Sequence, residues 1–311
     1  MIPVRDCSLY VFFICCVFES PHTLHRMKTS DAMLLNFITS VGIIWSNKIV
    51  FNSGFVYPIT LTMVHFVFTF VGLLICVGFK FFRPKHLHFR DIISICVVFC
   101  AFVLLNNASL NLNSVSTYQL LKVLTTPTIV FIQYVFYPNY CPSLPKLLAL
   151  VPICLGVVLA TVSSIDLNVK GIFLGTCGIF ATSIYQIWVK TEQKRLRVSS
   201  EQLLFYQAPI SAFLLLPCAL YLEGIHPISS LNRNNLIWIG LSALLAFLVN
   251  LSIFLVIGKT SPVAYNVLGH GKLCVVLLSG YVLFGEVCTV ENCVGVILAI
   301  SGIVAYTHLS L

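Results

Sequence analysis

Charge is scarce in this chain. Asp, Glu, Lys and Arg make up 9% of its 311 residues, and the mean hydropathy is +0.99. A soluble domain carries about 25% charged residues, so this sequence cannot coat a water-exposed globule. The usual marks of catalysis are also missing: there is no HExxH, GxSxG or Walker sequence and no carboxylate pair. No CxxC or other zinc spacing occurs, and most of the cysteines sit in apolar runs, among them Cys76, Cys96, Cys100, Cys154, Cys177 and Cys274. There a thiol packs as a small lipophilic side chain, and only a few, such as Cys141 and Cys288, lie near the ends of runs where a disulfide could form. The net charge of +8 invites a nucleic-acid reading, but no basic face with interleaved aromatics supports one. An enzyme, a metal protein and a cofactor protein are therefore not expected.

What is present is apolar sequence in long runs. They lie at about 31–51, 58–79, 91–110, 114–136, 145–164, 170–189, 202–222, 235–256, 262–284 and 291–309. Each approaches the roughly 20 residues that cross a bilayer as a helix, and runs this continuous satisfy their backbone in lipid only as helices. Polar segments such as FFRPKHLHFRD (81–91), TEQKRLRVSSEQ (191–202) and EGIHPISSLNRNN (223–235) separate them. The expected fold is an all-α membrane protein of ten transmembrane helices over residues 31–311. Residues 1–30 are expected to form a poorly structured extension. The apolar stretch Leu9–Phe18 is short for a span, and no small-residue cleavage site precedes Met27.

Basic residues orient the chain. The side that holds the N-terminus and the loops after the even-numbered helices carries thirteen of the 18 lysines and arginines, whereas the other carries only Lys170 and Arg233. The positive-inside rule then places both termini in the cytosol. Five helices per half is an odd number, so a duplicated second half would be inverted. AFVLLNNASL (101–110) followed by STYQLLK (116–122) is echoed by AFLVNLS (246–252) followed by SPVAYNVLGHGK (261–272). The expected repeats are 31–164 and 165–311, an arrangement typical of secondary transporters with a site at the repeat interface.

The signs of the charges within the spans carry the functional reading. All ten acidic residues fall at ends or in loops, yet Lys122 and Lys272 lie well inside the fourth and ninth helices. A mid-membrane lysine costs about 2.5–3.5 kcal/mol even on a lenient scale. Without an intramembrane carboxylate, its natural counter-charge is a substrate anion; the bland alternative is a structural lysine bonded to helix-end carbonyls. Lys48, near the end of the first helix, either joins this set or simply snorkels to the headgroups. Tyr118 and Lys122 are four residues apart and Tyr265 and Lys272 seven, so each pair shares a helix face. Gly269 and Gly271 flank Lys272 and let a ligand approach closely. Asn47, Asn107, Gln119, Tyr185, Gln186, Gln207, Asn250, Asn266 and His270 add uncharged donors and acceptors within spans. Singly, such groups often bond helix to helix. Together, lysines for phosphate with amides and aromatics for a base and sugar make a coherent pocket. The two sequons at Asn107 and Asn250 sit within or at the edges of spans and are expected to be unmodified.

SVGIIWSNK (40–48), LTMVHF (61–66), STYQLLK (116–122), SIYQIWV (183–189), LFYQAP (204–209) and NLSIFLVIGKTSPVAYNVLGHGKLC (250–274) resemble the nucleotide-sugar transporters of solute carrier family 35, subfamily E. These belong to the triose-phosphate-translocator branch of the drug/metabolite transporter superfamily. The resemblance runs from about Met27 to Leu309. It implies alternating access and anion exchange, with a nucleotide sugar entering the Golgi or endoplasmic reticulum lumen against a nucleoside monophosphate or phosphate. It also implies that Lys122 and Lys272 hold phosphate. The triose-phosphate branch places an arginine after the second lysine, where this chain has Leu273, and its substrate-binding histidine falls near Val103. Both departures count against triose phosphate. Gly269-His270-Gly271-Lys272 is one residue shorter than the GALNK of GDP-mannose carriers, which puts that substrate in doubt as well. The expected substrate-binding set is Lys122, Lys272, Tyr118, Tyr265, Asn266, His270, Gly269, Asn107, Asn47 and Lys48. The alternatives are a triose-phosphate or organophosphate exchanger, and a membrane scaffold or regulator that kept the fold without transport. Lipid and a second copy in a homodimer are the other expected partners, and no cofactor or nucleic acid is expected.

Overall fold

In a computed structural model the described residues are 27–113, 115–138, 140–161, 168–284 and 290–309. The expected extension up to residue 26, Cys288 and the junction between the expected repeats lie outside them. The described residues form helices and no strand: α1 Thr29–Asn52, α2 Pro58–Gly78, α3 Phe89–Leu112, α4 Val115–Val123, α5 Thr125–Phe136, α6 Leu144–Thr161, α7 Val169–Arg195, α8 Ser200–Leu222, the short α9 His226–Ser229, α10 Arg233–Lys259, α11 Pro262–Phe284 and α12 Val290–His308. Seven of them (α1, α2, α3, α7, α8, α10 and α12) are long and apolar enough to cross a membrane. Large apolar residues such as Phe68, Phe131, Phe213 and Ile297 are exposed near the middle of their helices, the surface that lipid rather than water requires. The chain is a multi-pass membrane protein.

The run at 114–136, expected as one helix, is two. It breaks at Leu124, between α4 and α5. Pro127 is the cause: it has no N–H to donate to the carbonyl four residues back, and its ring crowds that carbonyl. The next residue, Thr128, turns its hydroxyl onto the Leu124 carbonyl at 2.7 Å. The other helices start and stop by recognisable chemistry. Pro58 opens α2, where its missing N–H costs nothing. Asn232 and Asn235 cap α10 reciprocally, each side-chain oxygen accepting the other's backbone N–H at 2.9 and 2.8 Å. Lys190, expected in a loop, lies inside α7 because that helix runs on to Arg195, and its ammonium donates to the Gly258 carbonyl in the last turn of α10. A cation there offsets the negative helix end.

α2 and α7 end alike. The Phe81 N–H reaches the Cys76 carbonyl and the Lys80 N–H that of Val77, while Val198 reaches Gln193 and Arg197 reaches Lys194. These are Schellman closures, and the residue each turns into the left-handed region is basic: Lys80 at φ 62° and Arg197 at φ 51°. A non-glycine residue there costs about 1–2 kcal/mol. Just past the ends of α1 and α8 the left-handed positions, Gly54 and Gly224, are glycines.

Four helix pairs build the bundle: α1 runs along α10, α3 along α7, α2 along α8, and α6 along α12. The largest apolar core lies between α2, α3, α8 and α10, with Phe66, Phe99, Leu204 and Phe254 inside it. α6 and α12 touch backbone to backbone. A Cβ on Gly156 would sit 2.6 Å from the Gly295 carbonyl oxygen, and one on Gly295 would sit 2.6 Å from that of Gly156. Small residues permit this approach in membranes, where tight van der Waals contact drives helix association. At one end of the bundle the Glu223 carboxylate, just past α8, accepts the Ile59 and Thr60 N–H groups at 2.7 and 2.8 Å and so caps α2. At the other end, Gln202 of α8 donates to the Arg83 carbonyl at 2.7 Å and Lys85 to the Leu196 carbonyl at 2.9 Å.

Candidate functional site

α11 brings most of the site together, because its polar residues fall on two faces. Asn266 and His270 are four apart and point toward α7 and α5. Asn266 donates to Gln186 and to the Pro262 carbonyl, and His270 Nε2 lies 2.9 Å from Thr126 Oγ1. Tyr265, Gly269 and Lys272 form the other stripe. Lys272 Nζ donates to Asn36 Oδ1 and, at 3.0 Å, to Ser40 Oγ, both on α1, and stands 5.3 Å from the centre of the Tyr265 ring. Asn36 passes the chain on, donating to Ser252 Oγ of α10 at 2.9 Å.

Lys272 is only 7% exposed, and its hydrogen-bond partners are neutral. Buried charge normally comes paired, yet among the described residues neither Lys272 nor Lys122 forms an ion pair with a carboxylate. Lys122 is exposed along α4, with its Nζ 5.4 Å from the centre of the Tyr118 ring and no hydrogen-bond partner among the described residues. It interacts electrostatically with both Lys272 and His270. Two ammonium groups thus act on one region without an acid between them. A ligand phosphate would complete it, since a charge-assisted contact is about twice as strong as a neutral one.

Gly269 lies on the Tyr265–Lys272 stripe, and a Cβ there would meet nothing within 4 Å. The space beside the two side chains is open. Glycine in a helix interior costs up to about 1 kcal/mol relative to alanine, and no packed neighbour requires it here. Tyr185 and Gln207 lie buried in the core rather than open to this space: Gln207 donates to the Tyr185 hydroxyl at 2.9 Å, and the Tyr185 ring stacks on Phe102 at 5.2 Å.

Other expected residues stand apart. Asn47 and Lys48 sit in the last turns of α1, whereas Asn36 and Ser40 meet Lys272 in its first half. Eleven residues of helix separate Asn36 from Asn47, about 16 Å. The Asn47 Oδ1 is buried without a donor among the described residues, and the exposed Lys48 lies 5.5 Å from the centre of the Trp45 ring. Asn107 makes no hydrogen bond among the described residues, while its neighbour Asn106 donates to Thr182 at 3.1 Å. His65, in α2, lies 3.1 Å from Ser242 Oγ of α10. Sequence reasoning missed Asn36, Ser40, Ser252 and Thr126. The one available signal was the i,i+4 spacing of Asn36 and Ser40 within an apolar run.

The sequence matches the Triose-phosphate Transporter family over residues 27–307. It is 35% identical over 289 residues to UDP-xylose transporter 2 of Arabidopsis thaliana, an alignment covering 91% of this chain and 82% of that protein. UDP-rhamnose/UDP-galactose transporter 1 of the same plant is 32% identical over 300 residues, covering 93% of this chain and 86% of its own. A solved crystal structure superposes with a TM-score of 0.73 over 90% of this chain and 98% of its own, at 15% identity. That last likeness concerns the fold alone.

Proposed function

Because the chain belongs to the Triose-phosphate Transporter family, we propose that it is a secondary antiporter exchanging a nucleotide sugar for a nucleoside monophosphate. The observation that carries this reading is Lys272, buried at mid-helix with neutral partners and no carboxylate paired to it among the described residues. In this reading the two lysines take the phosphates, and the open stripe along Tyr265 and Gly269 takes the rest of the ligand. Relatives named as UDP-xylose and UDP-rhamnose/UDP-galactose transporters point to a uridine nucleotide as the base. We assign the chain to subfamily E of solute carrier family 35 and to the Golgi or endoplasmic reticulum membrane.

Alternating access on two inverted five-helix repeats, 31–164 and 165–311, fits the helix pairing. If α4 and α5 together count as one span, exchanging the first five spans with the last five turns α1·α10 into α7·α3 and returns α2·α8 and α6·α12 to themselves. With the basic loops cytosolic, the termini are cytosolic too.

The test is exchange in proteoliposomes of the purified protein loaded with uridine monophosphate. Uptake of radiolabelled UDP-xylose or UDP-galactose, absent from unloaded vesicles, is the expected result. Uptake of triose phosphate in preference would make the chain an organophosphate exchanger. No uptake from a full nucleotide-sugar panel by folded protein would favour a scaffold that kept the fold.

A further inference from the structure

A charged cavity lies at the end of the bundle where α2 and α7 finish and α8 begins. Its volume is about 810 Å³, within the range of small-molecule sites, and Lys80, Arg83, Lys194, Arg197 and Glu201 contribute its charges. Lys122 and Lys272 do not line it.

Three observations mark it as built for a ligand. The nearby basic residues Lys85 and Arg195 are committed, Lys85 to backbone carbonyls and Arg195 to Glu192 and Asp91. The four cavity cations form no ion pair among the described residues. Two of them, Lys80 and Arg197, occupy the left-handed closures of α2 and α7, where glycine is the unstrained choice. Each closure therefore carries a basic side chain at the rim where a glycine would carry none. Finally, Glu201 lines the same cavity while only 5% exposed, and its carboxylate has neither a hydrogen bond nor an ion pair among the described residues.

A ligand that suits this set carries phosphate for the four cations and hydroxyl donors for the Glu201 carboxylate. A simple anion would leave Glu201 unmatched. The cavity's aromatic rim points to where such a ligand sits. Phe81 lines it, and its ring lies 6.3 Å from that of Phe79, which is 70% exposed just past the end of α2. An apolar ring next to a cationic pocket at a helix end suits a lipid, with acyl chain against Phe79 and headgroup in the cavity. We propose that this cavity binds the phosphorylated inositol headgroup of a membrane phosphoinositide. Lys80, Arg83, Lys194 and Arg197 take the phosphates, and Glu201 accepts from ring hydroxyls.

The test is fluorescence anisotropy of a short-chain fluorescent phosphatidylinositol 4-phosphate titrated with the purified full chain in detergent, with phosphatidylserine as the charge-only comparison. The expected result is preference for the phosphoinositide. Binding should weaken at least tenfold in Arg83→Ala/Arg197→Ala and remain unchanged in Lys272→Ala. Glu201→Gln should weaken the phosphoinositide and leave phosphatidylserine unaffected. Folding is checked by gel filtration and thermal melt, and Arg83→Lys/Arg197→Lys, which keeps the charges, should retain binding within about threefold. Equal binding by wild type and the folded double alanine variant overturns the proposal. So does equal affinity for both lipids, or competitive displacement by a UDP-sugar, which would make the cavity part of the transport path. Because the readout is lipid binding, loss of nucleotide-sugar transport would not imitate any of these outcomes.

Discussion

Lys272 of α11 donates its ammonium proton to Asn36 of α1, a cation held in mid-bundle by a neutral amide. That amide is itself anchored to Ser252 of α10, so one side chain ties three helices to the charge. The amide can orient the lysine without cancelling it, which leaves the positive field for a ligand. An aspartate in the same place would have closed the site electrostatically.

Removing either lysine should cost affinity and leave the fold standing. Losing one charge-assisted phosphate contact in a partly dry site costs roughly 1.5–3 kcal/mol, a loss of about 10- to 150-fold. Lys122→Ala and Lys272→Ala should both show it in nucleotide-sugar uptake by melt-checked protein. Arginine should rescue poorly, because its planar fork needs a different geometry from lysine's point charge. Lys48→Ala should change uptake less than either. Near-normal exchange by both folded alanine variants would place the anion site elsewhere.

Asn36→Asp gives the sharper contrast. It keeps size and hydrogen-bond reach but supplies the missing counter-charge. Uptake should fall at least tenfold while the melting temperature holds or rises. A variant that transports normally would show that substrate does not compete for the Lys272 charge.

Gly269 tests the open stripe. Alanine adds helix propensity without a clash, so Gly269→Ala should stabilise the protein by about 0.4–1 kcal/mol. Gly269→Leu should fold and fail to transport, because its side chain enters the space beside Lys272. Thermal melts paired with uptake decide this, and full activity in the leucine variant would remove the glycine from the site.

The crossing of α6 and α12 should tolerate no side chain. Gly295→Val places carbon against the α6 backbone, and overpacking of this kind costs typically about 1–3 kcal/mol. A lowered melting temperature and reduced folded yield are expected, with Gly156→Val behaving the same way. An unchanged melt would mean that the helices are not in contact there.

Orientation can be read chemically. A single cysteine placed within 191–201 of a variant otherwise lacking reactive cysteines should label with an impermeant maleimide in sealed right-side-out Golgi vesicles. Labelling that appears only after detergent would invert the topology.

The sequence carries the helices and the lysine–tyrosine pairs plainly, for a simple reason. Hydropathy reports a span directly, and spacings of four and seven fix Tyr118 under Lys122 and Tyr265 under Lys272 whatever surrounds them. The partners across helices are less legible. These helices are apolar on all sides, so no amphipathic stripe says which face turns inward, and nothing local joins Asn36 to a lysine 236 residues away. The same ambiguity exchanges Asn106 for Asn107: one residue is a turn of about 100° around the helix, and only packing against α7 chooses Asn106. The break at Leu124 was written in the sequence as Thr-Thr-Pro, but a strong hydropathy run hid it.

Glycine against glycine at the α6–α12 crossing also restricts how the molecule can move. The two backbones meet at Gly156 and Gly295, with Ala160 and Ala299 flanking the contact. The close approach continues two turns along, where a Cβ on Gly302 would sit 2.8 Å from the Ile153 backbone nitrogen. The helices therefore meet along a seam rather than at a point, and sliding or tilting either one would drive larger side chains into the opposing main chain. The consequence is that α6 and α12 form one stiff unit, against which the remaining helices are placed.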